Sequence, residues 1–237
     1  MKAILLHHAG GDKYAYRNMQ QLLLPEIESI AFELPGRSDR FSEKFVQNLE
    51  AAVDDIYRQL IQQLPEEYCI IGNSMGSIMG FLLTHKLKEE NKPLPKYLFL
   101  ASRLSPDAYK DEPNIIGVSS EEFWKVVQQY NGVPEQLLQH KELKEFYEPI
   151  LRADFEVLEK YNAIQHEHQK LDIKTHVIFG NEDANNITLE IAKDWSSYFT
   201  KDIVYKEFNG GHFFAYENED VVAYIKSVYF RDQHFRT

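Results

Sequence analysis

The sequence predicts an α/β domain in which a mostly parallel β-sheet is covered by helices. Short apolar strand candidates alternate along the chain with segments of helical periodicity, which is the pattern of parallel sheets. The length of 237 residues suits one such domain, and a hydrophobic fraction of 43% is sufficient for a sizeable core. We therefore expect a single domain over residues 1–237 with one helical insertion.

Six short runs have the composition of buried strands. They lie at residues 3–7, 29–33, 68–71, 97–101, 175–179 and 203–208. Apolar side chains at helical spacing predict four covering helices at residues 49–64, 78–87, 189–198 and 220–229. The alternation predicts crossover connections, so we expect the strands to pair in parallel.

The segment from about residue 119 to 169 breaks this alternation, because it has helical pattern and no strand pattern. A connection of this length exceeds a simple crossover. It could enlarge the helical layer, or it could form a lid over the C-terminal edge of the sheet. We favour the lid, because open α/β sheets bind ligands at that edge. The candidate lid residues, each of which could instead pack the insertion's own core, are Phe123, Trp124, Val127, Leu137, Leu138 and Phe146.

Charge and cysteine content exclude several classes of protein. The net charge of −11 argues against general binding to nucleic acid or to an anionic membrane. The one cysteine, Cys69, excludes an internal disulfide, and its apolar strand predicts a buried structural thiol. The first residues, MKAILLHHAGG, contain too short an apolar run for a signal peptide, and no run reaches the ~20 residues of a membrane span. We expect a cytoplasmic protein.

A G-x-S-x-G pattern stands in a suggestive context at residues 68–80, YCIIGNSMGSIMG. An apolar strand candidate precedes it and an apolar helical stretch follows. An attacking serine needs a sharp strand-to-helix turn, and glycines two residues to either side prevent the clash that such a turn creates. The pattern alone leaves two interpretations open: Ser74 is a nucleophile, or it is a small residue in a tight turn.

A nucleophilic serine needs a histidine as base and a carboxylate that orients the histidine. In α/β-hydrolases the chain order is Ser, then Asp or Glu, then His. THVIFGNED reads as a strand and a loop with Asp183, and IVYKEFNGGHFF reads as a strand and a Gly-Gly turn before His212. We predict a triad of Ser74, Asp183 and His212. Glu182 and Asp194 are the alternative acids.

An oxyanion hole needs two backbone N–H donors near the nucleophile. The residue after the serine, Met75, supplies one, and the glycine-bearing turn in LLHHAGG supplies the other, for which Ala9 is the candidate. The neighbours His7 and His8 could suggest a metal, but no third ligand stands at suitable spacing. We expect no metal.

Eight segments together resemble the type II (editing) thioesterases that accompany non-ribosomal peptide and polyketide synthases, within the α/β-hydrolase fold. In chain order they are HHAGGDKYAYRNM, ELPGRSDRFSE, GNSMGS, ASRLSPD, NGVPEQLL, LRADFEVLEKY, FGNED and NGGHFFAY, and they span about residues 3 to 216. The family usually has proline at the position of His7 and histidine at that of Asn73. Both departures are expected to alter packing or turn stability.

The resemblance implies an enzyme that hydrolyses acyl thioesters from the phosphopantetheine arm of carrier proteins. The phosphopantetheine then belongs to the substrate, so no cofactor is expected. The expected partner is a carrier-protein domain, and the chain is expected to be a monomer. Two alternatives stay open: a related serine hydrolase that acts on acyl-CoA or small free esters, and a non-enzymatic binding module. The candidate substrate-binding residues are Arg37, Phe123, Trp124 and Leu138, with Arg40 as a second basic candidate.

Overall fold

The computed structural model describes residues 1–109, 117–129, 138–162, 167–183 and 187–234. Within them lies one six-stranded sheet, formed by β1 (Lys2–Leu6), β2 (Glu28–Ala31), β3 (Tyr68–Asn73), β4 (Tyr97–Ala101), β5 (Lys174–Gly180) and β6 (Val204–Phe208). The spatial order is β2-β1-β3-β4-β5-β6, and every neighbouring pair is parallel. The predicted parallel sheet is confirmed, with strand ends displaced by one or two residues.

The described helices are α1 (Arg17–Leu23), α2 (Leu49–Ile61), α3 (Met75–Glu89), α4 (Ser120–Gln129), α5 (Lys141–Asn162), α6 (Leu189–Ala192), α7 (Phe214–Glu217) and α8 (Glu219–His234). The helix predicted at residues 189–198 is α6 followed by a 3-10 turn, Lys193–Tyr198. Across the part of the chain described here, no helix has both the length and the apolar character needed to cross a membrane.

Both faces of the sheet are buried, because side chains alternate between two separate layers of helices. One face, with Leu6 and Ile70, packs on α2, α3 and the C-terminal part of α5. The other, with Leu5 and Ile71, packs on α1, α7 and α8. Cys69 lies in this second core, where burial raises the pKa of its thiol to about 12, so it is a structural thiol as predicted.

The segment between β4 and β5 contains α4 and α5, and it has a small core of its own. Phe123, Trp124 and Val127 pack there with Leu151, and Leu138 covers them as a half-buried neighbour. The C-terminal part of α5 belongs to the main core instead, so this one helix connects the two cores.

One predicted lid residue faces outward. Phe146 is 48% exposed and stacks on the exposed ring of Phe41, with 5.7 Å between the ring centroids. Leu137 lies outside the described residues. The lid function of the segment stays a prediction.

Candidate active site

Ser74 occupies the sharp turn that the sequence predicts between β3 and α3. Its φ of 52° and ψ of −115° are unusual for a residue with a side chain. A Cβ on Gly76 would collide with the carbonyl of Leu6, and one on Gly72 would collide with the backbone of Gly76. Ser74 is partly exposed, whereas every other residue from 68 to 81 is buried. The turn therefore presents the serine at the C-terminal edge of the sheet.

Hydrogen bonds to neighbouring backbone hold this turn in place. The N–H of Ser74 donates to the carbonyl of Ala101, at 2.8 Å, and the N–H of Ser77 donates to the carbonyl of Ser74, at 2.9 Å. The buried Ser77 hydroxyl lies 2.8 Å from the carbonyl oxygens of both Gly72 and Ala101. These contacts offset a backbone conformation that costs about 1–3 kcal/mol.

Asp183 and His212 meet at the same edge. The imidazole Nδ1 lies 3.0 Å from each carboxylate oxygen of Asp183, and both side chains are buried. Nδ1–H therefore donates to the carboxylate, which leaves Nε2 as the basic nitrogen. The alternative acids Glu182 and Asp194 are both exposed. Of the three candidate carboxylates, the structure places Asp183 in contact with the histidine.

Backbone contacts between two loops bring this pair together. After β5, the N–H of Asn181 donates to the carbonyl of Phe208, and the N–H of Glu182 donates to that of Gly210, both at 2.9 Å. The N–H of Gly210 returns a bond to the Asn181 side chain at 3.1 Å. Since β5 and β6 are neighbours, the loops that follow them run side by side.

Asn73 connects the histidine loop to the serine turn. It directly precedes Ser74, is fully buried, and its Nδ2 lies 3.4 Å from the carbonyl oxygen of His212. The position at which the resembled family usually has histidine thus holds an amide that contacts the backbone of the predicted base.

The two predicted oxyanion donors, the N–H groups of Met75 and Ala9, lie on different elements. Met75 is the first residue of α3, so its N–H has no acceptor within the helix and lies at the positive end of the helix dipole. Ala9 follows β1, which pairs directly with β3. The N–H of His8 donates to the Tyr216 hydroxyl at 3.2 Å, and that of Gly10 donates to Asp154 Oδ2 at 2.7 Å. Among described residues the intervening Ala9 N–H makes no hydrogen bond.

The two histidines of this loop are neutral at neutral pH. Burial, with the nearby charge of Arg37, lowers the pKa of His7 to about 4. Burial also lowers the pKa of His8 well below its ordinary value, and the positive charge of Arg37 lowers it further. His8 Nδ1 lies 2.7 Å from the Tyr216 hydroxyl. The imidazoles therefore act as hydrogen-bonding groups and carry no positive charge beside the predicted base.

Arg37 has a different position from the one expected of a substrate-binding residue. Its side chain is only 2% exposed, and its guanidinium makes a bidentate ion pair with Asp154 at 2.6 and 2.7 Å. The guanidinium of Arg40 likewise forms ion pairs, with Glu43 and with Asp55. The structure thus corrects the expectation for Arg37: its guanidinium holds other parts of the protein and is not free for a ligand.

The candidate apolar substrate residues are likewise packed within the protein. Phe123 is fully buried, Trp124 is 4% exposed, and Leu138 is half-buried against them. This is the alternative that the sequence left open, in which these residues form the core of the insertion.

Asp154 is a site residue that sequence analysis missed. It lies on the buried face of α5 between Leu151 and Leu158, where helical spacing alone predicts an apolar residue. A carboxylate at such a position is costly unless it is paired, so its presence in the apolar stripe was the available signal.

The chain is similar to known proteins both in sequence and in structure. A family model described as Thioesterase domain matches residues 2–228. Linear gramicidin dehydrogenase LgrE of Brevibacillus parabrevis is 29% identical over 226 residues, which cover 94% of this chain and 85% of that protein.

Two solved structures are also similar. ClbQ from the colibactin NRPS/PKS pathway has a TM-score of 0.88 at 25% identity, with 95% of each chain covered. The type II thioesterase BorB from the borrelidin biosynthetic cluster has a TM-score of 0.84 at 25% identity, with 95% of this chain and 91% of that chain covered. The fold is that of the α/β-hydrolase thioesterases. Because the family model covers nearly all of its length, the chain belongs to the thioesterase domain family.

Proposed function

We propose that this thioesterase works through a catalytic triad of Ser74, His212 and Asp183. The observation that carries the proposal is the contact of His212 with Asp183 at the sheet edge where Ser74 stands on its strained turn. A strained backbone at a partly exposed serine in a strand-to-helix turn is typical of a nucleophile. The name of LgrE denotes a different reaction class, but the serine turn and the histidine–carboxylate pair favour hydrolysis.

The proposed reaction has two stages. In the first, His212 Nε2 takes the proton of Ser74 as its oxygen attacks the thioester carbonyl. The N–H groups of Met75 and Ala9 stabilise the resulting oxyanion. The thiol leaves with the proton from His212, and an acyl-serine remains. Throughout, Asp183 stabilises the charged imidazole.

In the second stage, His212 removes a proton from a water molecule that attacks the acyl-serine. The same two N–H groups stabilise the second oxyanion. The carbon–oxygen bond to Ser74 breaks, the carboxylic acid is released, and His212 returns the proton to the serine oxygen. Every proton passes through the imidazole, so no bound cofactor is needed for the cycle.

We propose that the substrate is an acyl group on the phosphopantetheine arm of a carrier protein. The ordered segments from HHAGG to NGGHFFAY and the similarity to a type II thioesterase over nearly the whole chain support this substrate. Phosphopantetheine is then part of the substrate. The alternative is a related serine hydrolase that acts on acyl-CoA or small free esters.

Matched substrates test the assignment. The same acyl chain is presented on a carrier protein, on free pantetheine and on CoA, and kcat/KM is measured for each. We expect the carrier-bound form to give the highest value. Equal values for the three forms would support the alternative. If a fluorophosphonate failed to label Ser74, with Ser74→Ala as the unlabelled control, the non-enzymatic interpretation would replace both.

A further inference from the structure

The loop that follows β1 is fixed on both sides of Ala9. On one side, the N–H of His8 donates to the hydroxyl of Tyr216, which belongs to α7. On the other, the N–H of Gly10 donates to Asp154 of α5. The Ala9 N–H belongs to the peptide plane that lies between the two planes held by these bonds, and the carbonyl of that middle plane, that of His8, accepts from the N–H of Gly11 at 3.0 Å. Fixing both neighbouring planes restricts the direction in which the Ala9 N–H can point. Distant side chains therefore influence the geometry of a proposed oxyanion donor.

Asp154 is the centre of the stronger of these two attachments. Its Oδ2 accepts from the Gly10 N–H at 2.7 Å and from Arg37 Nη1 at 2.6 Å, while Oδ1 accepts from Arg37 Nη2 at 2.7 Å. Arg37 Nη1 also donates to the carbonyl of Gly11 at 3.1 Å. The N–H of one glycine and the carbonyl of the next are thus held by a single buried ion pair.

A contribution to stability does not by itself explain why the protein buries this ion pair. The two side chains are 2% and 1% exposed, so both charges are removed from water. The cost of desolvation often equals or exceeds the attraction within a buried pair, and apolar replacements of similar volume are often neutral or stabilising. What a bidentate pair adds is geometry, because the planar guanidinium fixes the carboxylate plane. Here that plane determines where Oδ2 meets the Gly10 N–H.

The same helix contacts the loop a second time, one turn earlier. A Cβ built on Gly10 would collide with the side chain of Leu151, and Gly10 has φ of +77°, a region that favours glycine. Leu151 and Asp154 are three residues apart and lie on one face of α5. Helix α5 therefore contacts the loop through the apolar side chain of Leu151 and through the carboxylate of Asp154.

We propose that Asp154, supported by Arg37, is a positioning residue that orients the Ala9 N–H toward the developing oxyanion. This inference rests on the triad and oxyanion hole proposed above. It assigns to a residue on the buried face of α5 an indirect influence on the chemical step. Asp154 touches neither the substrate nor the reacting atoms, and it acts through the backbone of Gly10.

Two double variants separate positioning from stability. Arg37→Met with Asp154→Leu removes both charges and also the acceptor for the Gly10 N–H. Arg37→Met with Asp154→Asn removes both charges but keeps a side-chain oxygen for that N–H. Neither leaves an unpaired buried charge, which single variants of this pair would do. The two proteins differ only at position 154. Asparagine there supplies a hydrogen-bond acceptor, whereas leucine is apolar and supplies none.

Three measurements are made on each variant with a small soluble acyl thioester. The first is kcat and KM for hydrolysis. The second is the affinity of an alkyl boronic acid, which forms a tetrahedral adduct with the serine and places an oxygen in the oxyanion hole. The third is the affinity of a non-hydrolysable thioether analogue of the same substrate. Thermal unfolding reports the stability of each protein.

We expect the variant with Asp154→Leu to have a kcat about 10- to 10³-fold below wild type, with boronate affinity reduced in parallel. Its KM and thioether affinity should stay within about threefold, because the loss arises in the transition state. The variant with Asp154→Asn should recover most of the loss. A merely structural role would make kcat follow the melting temperature in both variants.

Asn162→Ala serves as the matched control. Asn162 is also buried on α5, and it accepts a hydrogen bond from Arg103 at 2.9 Å at the C-terminal end of the helix, about two turns beyond Asp154. This variant should lose stability while its kcat stays within about threefold of wild type. A kcat for the Asp154→Leu variant within threefold of the Asp154→Asn variant would overturn the positioning role. A wild-type protein with neither hydrolysis nor boronate binding would instead overturn the proposed function.

Discussion

At Ser74 the chain places a residue with a Cβ at φ 52°, a conformation that costs about 1–3 kcal/mol in most contexts. The cost is tolerated because the Ser77 hydroxyl and the Ala101 carbonyl hold the turn. Since the same backbone bonds remain in Ser74→Ala, that variant should fold normally. We expect its thioesterase activity to fall by several orders of magnitude, measured as kcat on an acyl thioester. Retention of more than about a tenth of wild-type kcat would exclude Ser74 as nucleophile.

Asp183 allows a test of tautomer control. In Asp183→Asn the side chain keeps its size but no longer accepts two charge-assisted contacts from His212 Nδ1. We expect kcat to fall by about 10²–10⁴. Glu182→Gln and Asp194→Asn are matched controls that should behave as wild type. If one of these controls lost activity and Asp183→Asn did not, the acid would have to be reassigned.

Glu33 gives the protein a predicted pH dependence of stability. Its carboxyl is buried, and burial, more than the neighbouring charge of Asp12, raises its pKa from 4.5 to about 7. The folded state therefore binds more protons than the unfolded state between these values, and the free energy of unfolding falls as pH rises through this window. Glu33→Gln should remove that fall and be up to about 3 kcal/mol more stable than wild type at pH 8.

Denaturant unfolding at pH 4.5 and pH 8 measures the effect. The difference between Glu33→Gln and wild type should shrink to a few tenths of a kcal/mol at the lower pH, where the carboxyl is protonated in the folded state and about half protonated in the unfolded state. Glu28→Gln, at an exposed carboxylate on β2 a few residues earlier, should show little pH dependence of its own. A constant difference at both pH values would exclude titration of Glu33 as its cause.

Among the elements, strands were easier to predict than the contacts between loops. The six strands are short apolar runs separated by helical periodicity, so local pattern determines them almost completely. Helix α1 was missed because RNMQQLL contains few apolar residues, and it forms by packing Met19 and Leu23 on the sheet. Its existence depends on tertiary contacts that no local pattern records.

The residues of the site show the same contrast between what local sequence pattern predicts and what tertiary packing determines. Ser74, Asp183 and His212 each follow a predicted strand, so the parallel sheet predicts their meeting at one edge. Arg37 and Asp154 lie 117 residues apart, on a loop and a helix whose mutual position is set only by packing. Their ion pair could not be predicted from the sequence, and Arg37 was therefore assigned to the substrate.

The outward face of α5 provides a test of the insertion as a lid. Phe146 is exposed, and it stacks on Phe41, which lies in the connection between β2 and α2. If this surface contacts the carrier protein, Phe146→Ser should raise KM for carrier-bound substrate about tenfold, as for loss of one well-placed aromatic contact. KM for a small soluble thioester should not change. Phe230→Ser, at a similarly exposed ring on α8, is the matched control.

An equal change of KM on both substrates in Phe146→Ser would mean that the ring stabilises the insertion and does not recognise the carrier protein. Deletion of the whole insertion is a less informative test. It would remove Leu151 and Asp154 as well, and both contact Gly10.

For the whole molecule, the net charge of −11 predicts how salt affects the reaction. Carrier proteins of the expected class are acidic, as the family resemblance implies, so the two partners repel each other at long range. Raising ionic strength from about 0.01 to 0.1 M shortens the screening length from about 30 to 10 Å. We expect kcat/KM on carrier-bound substrate to rise severalfold and that on a neutral acyl thioester to stay constant. A steep fall with salt would instead indicate a local basic docking site.

The separation of Arg37 from Asp154 also matters while the protein is being made. Ribosomes add about 5–20 residues per second, so the 117 residues between them correspond to roughly 6–23 s of synthesis. During that interval the nascent chain already holds Gly10 and the arginine, but the carboxylate that anchors both has not been translated. A polypeptide that stops before residue 154 keeps a guanidinium without its counter-charge, and burying that charge unpaired would cost about 3–5 kcal/mol, so we expect the loop around Gly10 to stay unanchored in it.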